Sequence, residues 1–144
     1  MDRPTVPEVY FAASNSKDGF VSYFHECFDR PEIEKLYIIK GAPGTGKSKF
    51  MKDVASLALS AGGEVTRYLC SSDPNSLDGI TVRLPSHTFA VIDATLPHGY
   101  EPRLPGLRDV IVDLGAFWKG DVLMSHKDSI VALTDEKKHC FDMA

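Results

Sequence analysis

Gly41-Ala42-Pro43-Gly44-Thr45-Gly46-Lys47-Ser48 has the G-x-x-x-x-G-K-[ST] spacing of a P-loop. What flanks it constrains the fold most. Leu36-Tyr37-Ile38-Ile39-Lys40 is a short apolar run that reads as a buried strand, and Lys49 to Leu59 reads as a helix. Strand, glycine loop and helix in that order are the setting such a loop requires. Gly41, Gly44 and Gly46 admit backbone conformations that a side chain forbids and allow close approach to phosphate. Successive amides then form an anion nest, and the helix N-terminus adds unpaired donors. Lys47 is placed to reach β- and γ-phosphates, and Ser48 to put its hydroxyl on magnesium. The ligand expected is a nucleoside triphosphate with Mg2+. No guanine-reading N-K-x-D motif occurs, which favours ATP over GTP.

The remaining elements alternate. Glu8 to Ala13 reads as a first strand, Ser14 to Gly19 as a turn, and Phe20 to Phe28 as a helix closed by Arg30-Pro31. Ala61-Gly62-Gly63 ends the P-loop helix. Val65 to Cys70 is a strand, and Ile80 to Leu84 a short edge strand. Thr88 to Asp93 and Asp109 to Leu114 are strands, separated by a proline-rich loop over 97–105. Trp118 to Phe141 reads as a helix. The pattern predicts an α/β chain of P-loop NTPase fold, one domain over 1–144, with a mostly parallel sheet and helices on both faces.

Asp93 ends an apolar strand and so delivers a carboxylate to the sheet's carboxyl edge, where a magnesium-holding aspartate is expected. The residue after it is Ala94, not a glutamate that would activate water. Thr95, His98 and Glu101 are the nearby alternatives, with His98 able to position water or substrate, although a surface loop histidine is the plainer reading. Asp73 and Asp78 suit either a second substrate or ordinary turns. Arg103 and Arg108 suit either developing phosphoryl charge or solvated surface. Phe117 and Trp118 suit core packing or an interface better than base stacking.

Composition excludes several classes. A net charge of -4 without a basic block gives no case for nucleic acid. Cys27, Cys70 and Cys140 are odd in number and far apart, as in a reducing compartment. No apolar run approaches membrane-spanning length, and a cytoplasmic protein is expected.

Several stretches carry a resemblance beyond the loop itself: Tyr37 to Ser48, Cys70-Ser71-Ser72-Asp73-Pro74-Asn75-Ser76-Leu77-Asp78-Gly79, Val91-Ile92-Asp93-Ala94-Thr95-Leu96-Pro97-His98, Pro105-Gly106, and Asp113-Leu114-Gly115-Ala116-Phe117-Trp118. On these the chain resembles a family of poorly characterised bacterial P-loop ATPase-like proteins, found mainly in Firmicutes, with two related P-loop halves. The resemblance implies that this chain corresponds to the first half. It also implies that the second half, or a homodimer in its place, covers an apolar face or supplies groups in trans.

Three functions are open at this point. One is an ATPase or nucleotide switch of slow turnover, with Lys47, Asp93 and His98 as its catalytic groups. The second is a small-molecule kinase that binds its acceptor between the Asp73–Asp78 and Asp93–His98 loops. The third is a non-catalytic module stabilised by nucleotide.

Overall fold

The computed structural model describes residues 8–143. Its centre is β4 (Lys35–Lys40), the strand that runs into the glycine loop. Its apolar residues alternate between two cores: Leu36 and Ile38 face one, Tyr37 and Ile39 the other. A strand buried on both faces must sit inside the sheet. Accordingly, β4 is flanked by β7 (Thr88–Asp93) and β8 (Asp109–Asp113), both parallel to it. The sheet continues past β7 through β6 (Leu77–Arg83), β5 (Glu64–Leu69) and β1 (Glu8–Tyr10), giving the order β1-β5-β6-β7-β4-β8. β1 runs parallel to β5, whereas β6 is antiparallel to both of its neighbours. The chain is therefore α/β with a mostly parallel six-stranded sheet.

One face is covered by α2 (Lys47–Ser60), which buries Met51, Ala55 and Ala58 along a single stripe. These pack against Ile39, Val65, Ile80, Val82 and Val91. The other face is covered differently from the expectation. Residues 20–28 do not form one helix. β2 (Ala13–Ser16) and β3 (Gly19–Ser22) form a hairpin, and α1 (Phe24–Phe28) is only five residues long. Turn chemistry overrides the helical spacing. Ser16 Oγ donates to the Gly19 carbonyl and accepts from the Asp18 amide, and Gly19 takes φ 114. Phe24 and Phe28, one turn apart, still enter the core beside Ala12, Ala13, Ile33 and Tyr100. The expected strand over 8–13 is accordingly divided between β1 and β2.

Two further expectations change. The segment expected as a short edge strand is β6, seven residues long and interior. Its Asp78-Gly79 step belongs to the strand rather than to a turn. The register with β5 skips Asp78, because Tyr68 pairs with Gly79 and Leu69 with Leu77. Asp78 is thus the extra residue of a bulge, which bends the strand and re-aims a side chain. Gly79 lies under Phe28, and a Cβ there would come 2.7 Å from Phe28 Cζ.

The expected helix over 118–141 is two helices, α3 (Gly120–Ser125) and α4 (Lys127–Met143), broken at His126. Neither has a buried residue among those described. β8 is an edge strand, with Val110 and Ile111 exposed. The accessible surface is 9721 Å², against about 7300 Å² for a compact chain of this mass. The standing-off α3–α4 segment and the bare β8 edge contribute to that excess.

Gly79→Ala is expected to destabilise by about 1–3 kcal/mol through overpacking, and Phe28→Ala by about 3–5 kcal/mol through the cavity it leaves. Leu57→Ala, at a position 71% exposed, should change stability by less than about 0.5 kcal/mol. Urea unfolding monitored by far-ultraviolet circular dichroism measures all three.

Candidate functional site

The carboxyl end of β4 opens into Gly41, and α2 begins at Lys47. Between them the backbone doubles back. Gly44 and Gly46 take φ 83 and 90, a left-handed region that L side chains enter at a cost. A Cβ on either would meet nothing within 4 Å, so it is the left-handed backbone rather than crowding that calls for glycine. Gly41 is small for another reason: its Cβ would stand 2.8 Å from Thr45 Oγ1, which donates to the Ala42 carbonyl. Gly46 is the N-cap of α2, and no side chain caps that helix. The first-turn amides are therefore left for another acceptor, the arrangement that binds anions at helix N-termini.

Lys47 folds back over this loop. Its Nζ donates to the carbonyls of Gly41 at 2.7 Å and Ala42 at 3.0 Å, and lies 3.8 Å from Asp93 Oδ2. The side chain is 10% exposed, so the ammonium stands at the site rather than in bulk solvent.

Two loops fasten the cradle from the side of the sheet. β7 pairs with β4 so that Asp93 lies opposite Ile39. The Thr95 amide donates to Asp93 Oδ1 at 3.0 Å, leaving Oδ2 turned toward Lys47. Thr95 Oγ1 donates to the Gly41 carbonyl at 2.7 Å and accepts from the Gly41 amide at 3.2 Å. On the other side, Ser48 Oγ accepts from the Leu77 amide at 3.1 Å, where β6 starts. Gly41 to Ser48, Asp93 and Thr95 thus converge at one point on the carboxyl edge. The sequence offered Thr95 as one of three candidates for the missing base. Its double bond to Gly41 has no motif signature.

The other candidates are placed elsewhere. His98 is not on the surface: its side chain is 9% exposed, stacks on Phe24 and meets the edge of Phe20. Its Nε2 lies 3.2 Å from Asp78 Oδ1, and Asp78 is itself buried. Asp73 closes a turn, accepting from the Asn75 amide and the Ser76 hydroxyl. Glu101 is exposed and pairs with Lys40. Among the described residues there is no group of three or more His, Cys, Asp or Glu able to hold a metal. Ser48 and Asp93 suit an ion whose remaining ligands are phosphate and water, as Mg2+ on a nucleotide requires.

Arg103 and Arg108 are committed away from the cradle. Arg108 stands at the amino edge, where its carbonyl accepts from the Leu36 amide, roughly 15 Å along the strand from Gly41. Its guanidinium donates to Asp109 Oδ1 at 2.6 Å and Asp29 Oδ1 at 2.9 Å, and Arg103 Nη1 lies 2.9 Å from Asp29 Oδ2. Tyr100 hydroxyl also donates to Asp29. This cluster pins the 94–108 loop across the sheet face, and sequence spacing carried no sign of it.

No family model, no characterised protein and no solved structure matches this chain. Among the described residues, no helix is long and apolar enough to cross a membrane.

Burial pushes the carboxyls of Asp29 and Asp109 upward. Hydrogen bonds more than offset it, from Tyr100, His25 and Arg108 at Asp29, and from Arg108 and the Leu104 and Arg103 amides at Asp109. Both end below the ordinary carboxylate range. A depressed folded value stabilises at pH above the unfolded value, near 4, and the effect is lost as pH falls through the folded value. Urea midpoints should therefore be flat from about pH 5 to 7 and fall below about pH 4. Asp109→Asn should be less stable at neutral pH and show a shallower acid fall.

Proposed function

We propose that this chain has the P-loop NTPase fold and binds ATP with Mg2+, acting as a slow ATPase or nucleotide switch. One observation carries the reading. The open glycine cradle lies between a parallel strand and an uncapped 14-residue helix, with Lys47 and Asp93 facing each other across it.

In this reading the amides of Gly44, Gly46, Lys47 and Ser48 take the β- and γ-phosphate oxygens. Lys47 exchanges its bonds to the Gly41 and Ala42 carbonyls for phosphate. Ser48 and Asp93 hold Mg2+, whose chemistry when bound is to neutralise charge developing on the phosphoryl oxygens. Ser48 keeps a lone pair for the metal while its other accepts the Leu77 amide. Asp93 keeps Oδ2 for it while Oδ1 accepts from Thr95.

Slow turnover is supported by what surrounds the cradle. Ala94, buried, follows Asp93 and offers no base. Arg103 and Arg108 are held by Asp29. The kinase alternative is weakened because Asp73 closes its own turn and His98 packs against Phe24. A catalytic role of His98 on substrate is weakened for the same reason. The non-catalytic module shares the nucleotide site and differs only in lacking turnover.

The tandem family that the sequence resembles and a cytoplasmic location belong to the same proposal. So does a partner: a second copy of this chain seated on β8 and α3–α4. The face offered is the bare β8 edge, with Val110 and Ile111 exposed, and the α3–α4 segment, which buries no described residue. Light scattering after size exclusion should give twice the chain mass at micromolar protein. A monomer at every concentration removes this partner.

The nucleotide reading is tested by thermal melts with ATP, GTP and their diphosphates, with and without Mg2+. ATP with Mg2+ at a hundredfold over its Kd should stabilise by about 2.7 kcal/mol, and Lys47→Ala should lose most of that. Absence of any shift across the panel would overturn the proposal.

A further inference from the structure

The nucleotide site depends on two loops that the β6–β7 ladder does not hold together. The β6–β7 ladder ends at Gly79 opposite Ile92. Beyond that pair, Leu77 and Asp78 lie on one side and Asp93 to His98 on the other. Each side holds one of the two residues assigned above to Mg2+. The Leu77 amide donates to Ser48 Oγ, and the Thr95 amide to Asp93 Oδ1. Among the described residues, the polar side-chain contact across this gap is Asp78 Oδ1 to His98 Nε2, at 3.2 Å. Asp78 adjoins Leu77 in the chain, and the His98 amide donates to the Thr95 carbonyl.

The pair is an expensive one to bury. Asp78 is 2% exposed and the His98 side chain 9%. Asp78 Oδ2 and His98 Nδ1 are both buried without a hydrogen-bond partner among the described residues. Such groups cost free energy, and a buried polar pair of this kind adds little net stability against apolar residues of the same size. Its rigidity is nevertheless well supported. The imidazole stacks on Phe24 at 5.0 Å between ring centres and meets Phe20 edge-on at 5.2 Å. The bulge that aims Asp78 at it is built into β6.

We propose that Asp78 and His98 are positioning residues that clamp the Leu77 and Thr95 loops together, and so set the spacing of the Ser48 and Asp93 oxygens for the metal of a bound nucleotide. The inference rests on the nucleotide reading. His98 acts through Thr95 and Asp93 and touches neither phosphate nor metal. Nε2 carries the proton toward the Asp78 carboxylate, a tautomer assigned from that contact.

The test compares His98→Gln with His98→Asn by calorimetric titration of ATP with and without Mg2+. The glutamine amide nitrogen reaches the Nε2 position, and the asparagine one does not. His98→Asn should lose about tenfold of the affinity that Mg2+ adds, the usual cost of removing a group behind a metal ligand. Metal-free ATP affinity should change by much less, because the amide nest and Lys47 remain. His98→Gln should retain most of the metal-linked gain. General loosening of the core would instead lower both affinities together. Equal metal-linked gains in the two variants, or parallel loss of both affinities, would overturn the clamp and leave the nucleotide reading standing. Wild-type protein that binds no ATP would overturn both. If His98→Asn does not fold by circular dichroism, Asp78→Leu is titrated in its place with the same expectation: loss of the metal-linked gain supports the clamp, and full retention overturns it.

Discussion

The parallel register of β4 between β7 and β8 is the constraint on which the carboxyl edge depends. It sets Ile39 beside Asp93 on one side and beside Val112 on the other. Asp93 is thereby brought level with the strand end that launches Gly41. A slip of one residue would turn Tyr37 and Ile39 toward the Phe24–Phe28 core and Leu36 and Ile38 toward α2. Both faces are packed, so either exchange would leave gaps and overlaps at once. The site is therefore positioned by burial, through residues with no chemistry of their own.

From that register the backbone does most of the remaining work. Gly44 and Gly46 supply the left-handed turns, and Gly46 starts α2 with its amides uncapped. Thr95 locks the first glycine by donating to its carbonyl and accepting from its amide. Lys47 is held by the loop carbonyls at the position from which it faces Asp93. A charged side chain already confined in this way loses less rotamer freedom when it engages an anion. Preorganisation of the cradle thus comes from bonds within one segment, and its attachment to the sheet comes from Thr95 and Leu77.

What was legible in the sequence follows from how local each signal is. The Gly41–Ser48 loop, the buried strand before it, the helix after it and the strand ending at Asp93 are specified by residues next to one another, and these elements appear as expected. The strand expected at 80–84 was legible, but its start at Leu77 and its interior place were not, because Asp78-Gly79 has the composition of a turn. Only Phe28, some fifty residues earlier in the chain, explains why glycine is needed there. The hairpin at 13–22 was obscured because Phe20, Val21, Phe24 and Phe28 fit a helical stripe, while the turn at Lys17-Asp18 is stabilised by one serine hydroxyl. The break at His126 likewise leaves no strong mark, since neither glycine nor proline stands there. At the site, the loop itself was readable. The burial of His98 and the commitment of Arg103 and Arg108 to Asp29 were not, because both depend on how the 94–108 loop crosses the sheet.

That crossing separates two uses of charge in this fold. At the amino edge, Asp29 and Asp109 gather arginine, tyrosine, histidine and backbone donors. These carboxylates are satisfied, and the resulting cluster holds the loop in place. At the carboxyl edge, Asp78 Oδ2 and His98 Nδ1 are buried without a hydrogen-bond partner among the described residues. A chain selected only for stability would favour the first arrangement or an apolar pair in place of the second. The difference is intelligible if the second pair is retained for geometry. It lies where the β6–β7 ladder has ended and the chain must still hold Ser48 and Asp93 at a set separation. Pairing between β6 and β7 cannot do this past their last ladder bond, and an apolar contact would not specify the distance. A directional side-chain bond across the gap can.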